Sequence, residues 1–75
     1  MFKVIITFTS GDSHTEEHSE DTLISALQRL TFGPAARMGI ISKVKVVDYL
    51  DCVNFESRWT GSEMRVTFPP NLVLN

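Results

Sequence analysis

The stretch Ser19–Gly33, SEDTLISALQRLTFG, is the one segment of this chain with a firm helical period, and the rest must be arranged to cover it. Leu23, Ala26, Leu27 and Leu30 recur at i, i+3, i+4 and i+7, so they stack into a single stripe at 3.6 residues per turn. Ser19 or Asp21 is placed to cap the first turn, and Glu20 and Asp21 put negative charge at the positive end of the helix dipole. Gly33 is expected to end the helix in the left-handed conformation, with Pro34 barring continuation. A helix of about a dozen residues is marginal alone in water, so its apolar stripe needs a partner surface. With 75 residues and one cysteine, Cys52, that surface must come from a single domain without disulfides.

Strands supply it. In residues 2–9, Phe2, Val4, Ile6 and Phe8 point one way and Lys3, Ile5, Thr7 and Thr9 the other, the alternation of a half-buried strand. Ser10-Gly11-Asp12 is a turn signal, and Ser13–His18, which has no apolar residue, reads as a polar edge strand folding back on the first. The competing reading is an early helix start with Ser13 and Glu16 as a capping box, but such a helix would bury nothing. Gly33–Gly39 is a connector in which Pro34 can open one helical turn. Residues 40–47 make the next strand, with Val44 and Val46 inward and Lys43 and Lys45 outward, and Asp48–Asp51 makes a bend or bulge.

The last hairpin spans residues 52–59 and 64–68 around a Gly61-Ser62 turn of type II′. That turn pairs Trp59 with Met64, Ser57 with Val66 and Phe55 with Phe68, and sets Arg58 opposite Arg65 with Glu56 diagonal to them. Pro69-Pro70 ends the ladder, leaving residues 71–75 as an apolar tail. The order β-β-α-β-β-β predicts a two-layer α+β domain, an antiparallel sheet with one helix on one face. The expected core is Val4, Ile6, Phe8, Leu23, Leu27, Leu30, Val44, Val46, Val53, Phe55, Trp59, Val66 and Phe68.

No catalytic constellation emerges. His14-Thr15-Glu16-Glu17-His18 matches the H-x-x-E-H pattern of some zinc peptidases, but those histidines sit on a packed helix beside a cleft. On a strand His14 and His18 are about 13 Å apart at roughly 3.3 Å per residue, too far to share an ion. Cys52 has no histidine near it in sequence to lower its pKa and reads as a small strand side chain. The connector lacks the spacing of a phosphate loop or dinucleotide fingerprint. No enzyme, cofactor or metal is therefore expected.

Charge is distributed unevenly. The net charge is −2, yet Asp12, Glu16, Glu17, Glu20 and Asp21 lie in one ten-residue stretch without Lys or Arg. Lys3, Lys43, Lys45, Arg58 and Arg65 all fall on strand positions opposite the core residues, so five of the seven basic residues share the outer sheet face. Such a face suits phosphate backbones, although single-strand readers interleave aromatics with charge and only Tyr49 serves here. Arg37, with Met38, and the acidic edge at Glu16 and Glu17 are further candidate contacts.

The expected function is a small protein-binding module that docks on, and inhibits or adapts, a larger protein. The alternative is a nucleic-acid-binding regulator using the basic sheet face. A homodimer joined through Leu72–Leu74 would widen a thin stability margin. The plan is loosely similar to small phage-encoded proteins that dock on host enzymes, a likeness of architecture carried by no motif. The start, MFKVIITFTSGD, lacks a small-residue cleavage site, no run is long enough to span a bilayer, and the disulfide-free composition favours a cytoplasmic setting.

Overall fold

A computed structural model describes residues 1–70 and Leu72. Five strands form one antiparallel sheet: β1 (Phe2–Phe8), β2 (Ser13–His18), β3 (Ile41–Val47), β4 (Val53–Trp59) and β5 (Met64–Phe68). Between β2 and β3 runs a helix bent at Gly33-Pro34, giving α1 (Glu20–Phe32) and the single turn α2 (Pro34–Arg37). The spatial order is β2-β1-β3-β4-β5. Since β1 pairs antiparallel with both β2 and β3, those two run parallel, and the chain must cross β1 to join them. That crossover is what lays the helix over one sheet face. The radius of gyration is 11.4 Å, close to the roughly 11 Å of a compact chain this long.

The core lies between helix and sheet. Val4, Ile6, Leu27, Leu30, Val44, Val46 and Phe55 are buried as expected, while Phe8, Leu23, Trp59 and Val66 pack against them partly exposed. Each leucine so buried stabilises by about 1.5–3 kcal/mol. Ala26, Ala36, Ile41, Val47 and Met64 complete the buried apolar set. Ile41 joins because β1 and β3 shift register between Thr7 and Phe8, pairing Phe8 with Ile41 on the core side.

Two expected core residues are not in the core, and the cause is the same for both. The β3–β4 register steps from Val46↔Phe55 to Val47↔Val53, so Asn54 is an extra residue and Val53 turns to the outer face, 38% exposed. The β4–β5 register steps from Ser57↔Val66 to Glu56↔Phe68, so Thr67 is extra. Phe68 therefore pairs with Glu56 rather than Phe55 and is 45% exposed. The Trp59–Met64 and Ser57–Val66 pairs, the Arg58–Arg65 opposition and the positive φ of Gly61 (103°) stand as read from the turn.

The helix ends are corrected too. Ser19 occupies the N-cap position with an extended backbone, but its side chain makes no capping bond. Gly33 is extended (φ −74°, ψ 177°), not left-handed. Glycine is needed there for another reason: its N–H donates to the Arg29 carbonyl at 2.8 Å, and a Cβ would run into that same oxygen. Cys52 lies before β4 in the β3–β4 turn and is exposed, so it is not a strand side chain. Asp48 organises that turn, accepting from the backbone N–H of Leu50 (2.8 Å) and Cys52 (3.0 Å) and the Asn54 amide (3.2 Å). These bonds, the Asn54 one first and the Cys52 one next, hold its carboxyl below the usual range. Among the tail residues 71–75, only Leu72 lies within the described residues, so the tail-mediated dimer falls outside them.

Candidate functional site: the open sheet face

With the helix on one side, the other side of the sheet carries no covering element among the described residues. Cross-strand registers arrange it in transverse rows. The first reads Ser13, Thr7, Lys43, Arg58, Arg65; the second Thr15, Ile5, Lys45, Glu56, Phe68; the third Glu17, Lys3, Val47, Val53. All five basic residues assigned to this face lie in these rows.

The first row sets three cations side by side. Directly opposed like charges on adjacent strands are destabilising, because side chains there stand only about 5 Å apart. Partial relief comes from Glu56, whose Oε1 accepts from Arg58 Nε at 2.6 Å, and from Glu63 at the hairpin tip, which accepts from Arg65 Nη2 at 3.3 Å. Lys43 makes no ion pair among the described residues. Lys3 stands opposite Glu17 and Lys45 opposite Glu56. Five basic residues against two acidic ones, Glu17 and Glu56, leave the rows positive within a chain of net charge −2.

The third row is charged at one end, Glu17 and Lys3, and apolar at the other, Val47 and Val53. Val47 is buried between Lys3 and Val53 in register, and Val53 and Phe68 stand exposed where the two bulges put them. Tyr49 and Leu50, 83% and 67% exposed in the β3–β4 turn, follow directly on that end of β3. The face therefore grades from cationic at one end to apolar at the other. Strand alternation reads Val53 and Phe68 inward, and each bulge inverts it, while Tyr49 and Leu50 lie in the turn where a bend is expected.

Other candidate residues lie elsewhere. On β2, Glu17 belongs to the open face, but Glu16 projects to the helix side, opposite Val4, so the two do not form one acidic edge. Glu16 instead joins β2 to the helix. Its Oε1 accepts from His18 Nε2 (2.9 Å) and Arg29 Nη2 (3.2 Å), and His14 Nε2 lies 3.6 Å from Oε2. His18 Nδ1 is 3.0 Å from Thr22 Oγ1 on α1. The His18 hydrogen bond above all, then the Arg29 charge, keeps the Glu16 carboxyl below its ordinary value despite partial burial. The H-x-x-E-H run is thus a strand whose two imidazoles lean on the carboxylate between them. Among the described residues no group of three His, Cys, Asp or Glu side chains is placed to hold a metal ion. Arg37 sits on α2, away from the sheet face.

Among the described residues no helix is long and apolar enough to cross a membrane. Comparison of the chain with protein-family models, curated proteins and solved structures finds no match.

Proposed function

We propose that this chain is a small, non-enzymatic protein-binding module that docks through its open sheet face on an acidic surface of a larger protein. It acts in the cytoplasm by blocking or adapting that partner. The observation that supports this is the row Lys43–Arg58–Arg65 sharing a face with Phe68 in the adjoining row and Val53 in the row beyond, both turned outward by bulges. An apolar anchor next to a charged margin is the composition of a docking interface, where the anchor holds and the charge steers and selects. A row of opposed cations costs stability in the free chain, and an anionic partner removes that cost. Acidic side chains within the face, Glu17 and Glu56, and the small number of aromatics fit a protein surface better than a nucleic-acid backbone.

A photo-crosslinking amino acid at Val53 or Phe68, carried by the chain in its source cell, tests this. Adducts should form with one protein species, survive nuclease treatment and disappear with Lys43→Glu plus Arg58→Glu. A crosslinker at Ser25, on the exposed side of α1, should give none. Equal adducts from both positions would refute the assignment. Salt-sensitive retention of bulk DNA or RNA, lost with Lys43→Glu and Lys45→Glu, would replace it with the nucleic-acid reading.

A further inference from the structure

Away from the open face, the helix side carries a cavity of about 210 Å³. Thr31 and Phe32 from the last turn of α1, Ala36 and Arg37 from α2, and Glu63 and Met64 from the β4–β5 hairpin line it. Its space equals roughly seven waters at ~30 Å³ each, enough for a ligand of about ten heavy atoms. The apolar part of its wall is Ala36 and Met64, 2% and 7% exposed, with the half-open ring of Phe32.

The polar part holds two solvent-exposed charges, Arg37 and Glu63, and one buried hydroxyl, that of Thr31. Thr31 is 5% exposed, and its hydroxyl has no hydrogen-bond partner among the described residues. The Thr31 oxygen is buried from the cavity as well as from bulk solvent, so the two charges are the polar groups that a ligand there would meet. Arg37 makes no ion pair or side-chain hydrogen bond among the described residues. Glu63, exposed at the hairpin tip, uses Oε1 for Arg65, and its Oε2 has no partner among the described residues. A cation and an anion thus stand in the walls of one cavity without closing on each other.

We propose that this cavity binds a small zwitterion, a free α-amino acid with an apolar side chain. The carboxylate pairs with the Arg37 guanidinium and the ammonium with Glu63. The side chain lies against Ala36, Met64 and Phe32. Charges of both signs in one lining select the zwitterion over a simple carboxylate or amine, since either of those would pair with only one of them.

Titration of the isotope-labelled full chain with L-leucine, followed by amide chemical shifts, tests the assignment. Shifts should cluster at residues 31–37 and 62–64, and N-acetyl-leucine and leucinamide should bind at least tenfold more weakly. Arg37→Ala and Glu63→Gln, both at exposed positions, should each weaken leucine at least tenfold and leave the fold intact. Absent or scattered shifts, equal binding of the capped analogues, or an Arg37→Ala variant that binds leucine as well as the parent would overturn the proposal.

Discussion

Ser57→Ala should make this protein more stable. Ser57 lies on the core face of β4, between Val44 and Val66 in register, with 0% of its surface exposed. Its hydroxyl has no hydrogen-bond partner among the described residues. A buried, unpaired hydroxyl carries a desolvation penalty of about 1–3 kcal/mol. Replacing it with hydrogen forfeits a few dispersion contacts at about 0.1–0.2 kcal/mol each, so the net gain is about 1 kcal/mol. Unfolding entropy near 2.1 cal/mol/K per residue over 75 residues converts this to a rise of about 6 °C in Tm. With a urea m-value of about 1 kcal/mol/M, the midpoint should move up by about 1 M at constant m. Thermal and urea unfolding followed by circular dichroism read both. A Tm equal to or below that of the parent would show that the hydroxyl has a partner in solution, and the energetic reasoning for this site would fail.

Three further outcomes follow from the same contacts. Leu27→Ala, at 2% exposure in the centre of the helix–sheet contact, should cost about 2–5 kcal/mol. That is a large share of the roughly 4–11 kcal/mol expected for a domain of this length, so urea unfolding should begin far earlier. Glu16→Gln should lower stability at neutral pH by breaking the link to His18 and Arg29. The folded carboxyl titrates below its ordinary value of 4.5, so its contribution is present above that pH and is lost as pH falls through the folded pKa. The gap between parent and variant should therefore close below about pH 4.5, and a gap that widens there would contradict the linkage. Arg65→Thr, which removes the Arg58–Arg65 opposition and leaves Lys43 opposite Arg58, should stabilise the free chain by about 0.2–1 kcal/mol while weakening docking; a destabilised variant would show that this opposition is already neutralised.

The sequence alone determined the elements and which side of most of them faces inward. Helical period in Ser19–Gly33, alternation in residues 2–9 and turn chemistry at Ser10-Gly11-Asp12 and Gly61-Ser62 are local properties, and local energetics decide them. The polar edge strand Ser13–His18 was legible because a helix there had nothing to bury. The five basic residues fell on one face for the same reason, since strand period is a local count. Only the tertiary structure decided the rest. Strand order β2-β1-β3-β4-β5 depends on which strands a crossing helix leaves adjacent, a long-range choice with no local signal. The extra residues Asn54 and Thr67 arise because two strands fixed at their ends must reconcile register with twist. Neither bulge carries a glycine to announce it. Their effect is to invert side-chain direction beyond the bulge, which moved Val53 and Phe68 out of the expected core and onto the open face. Pairing of Glu16 with Arg29, and the cavity between α2 and the β4–β5 hairpin, likewise exist only once distant segments pack, because each joins groups 13 or more residues apart.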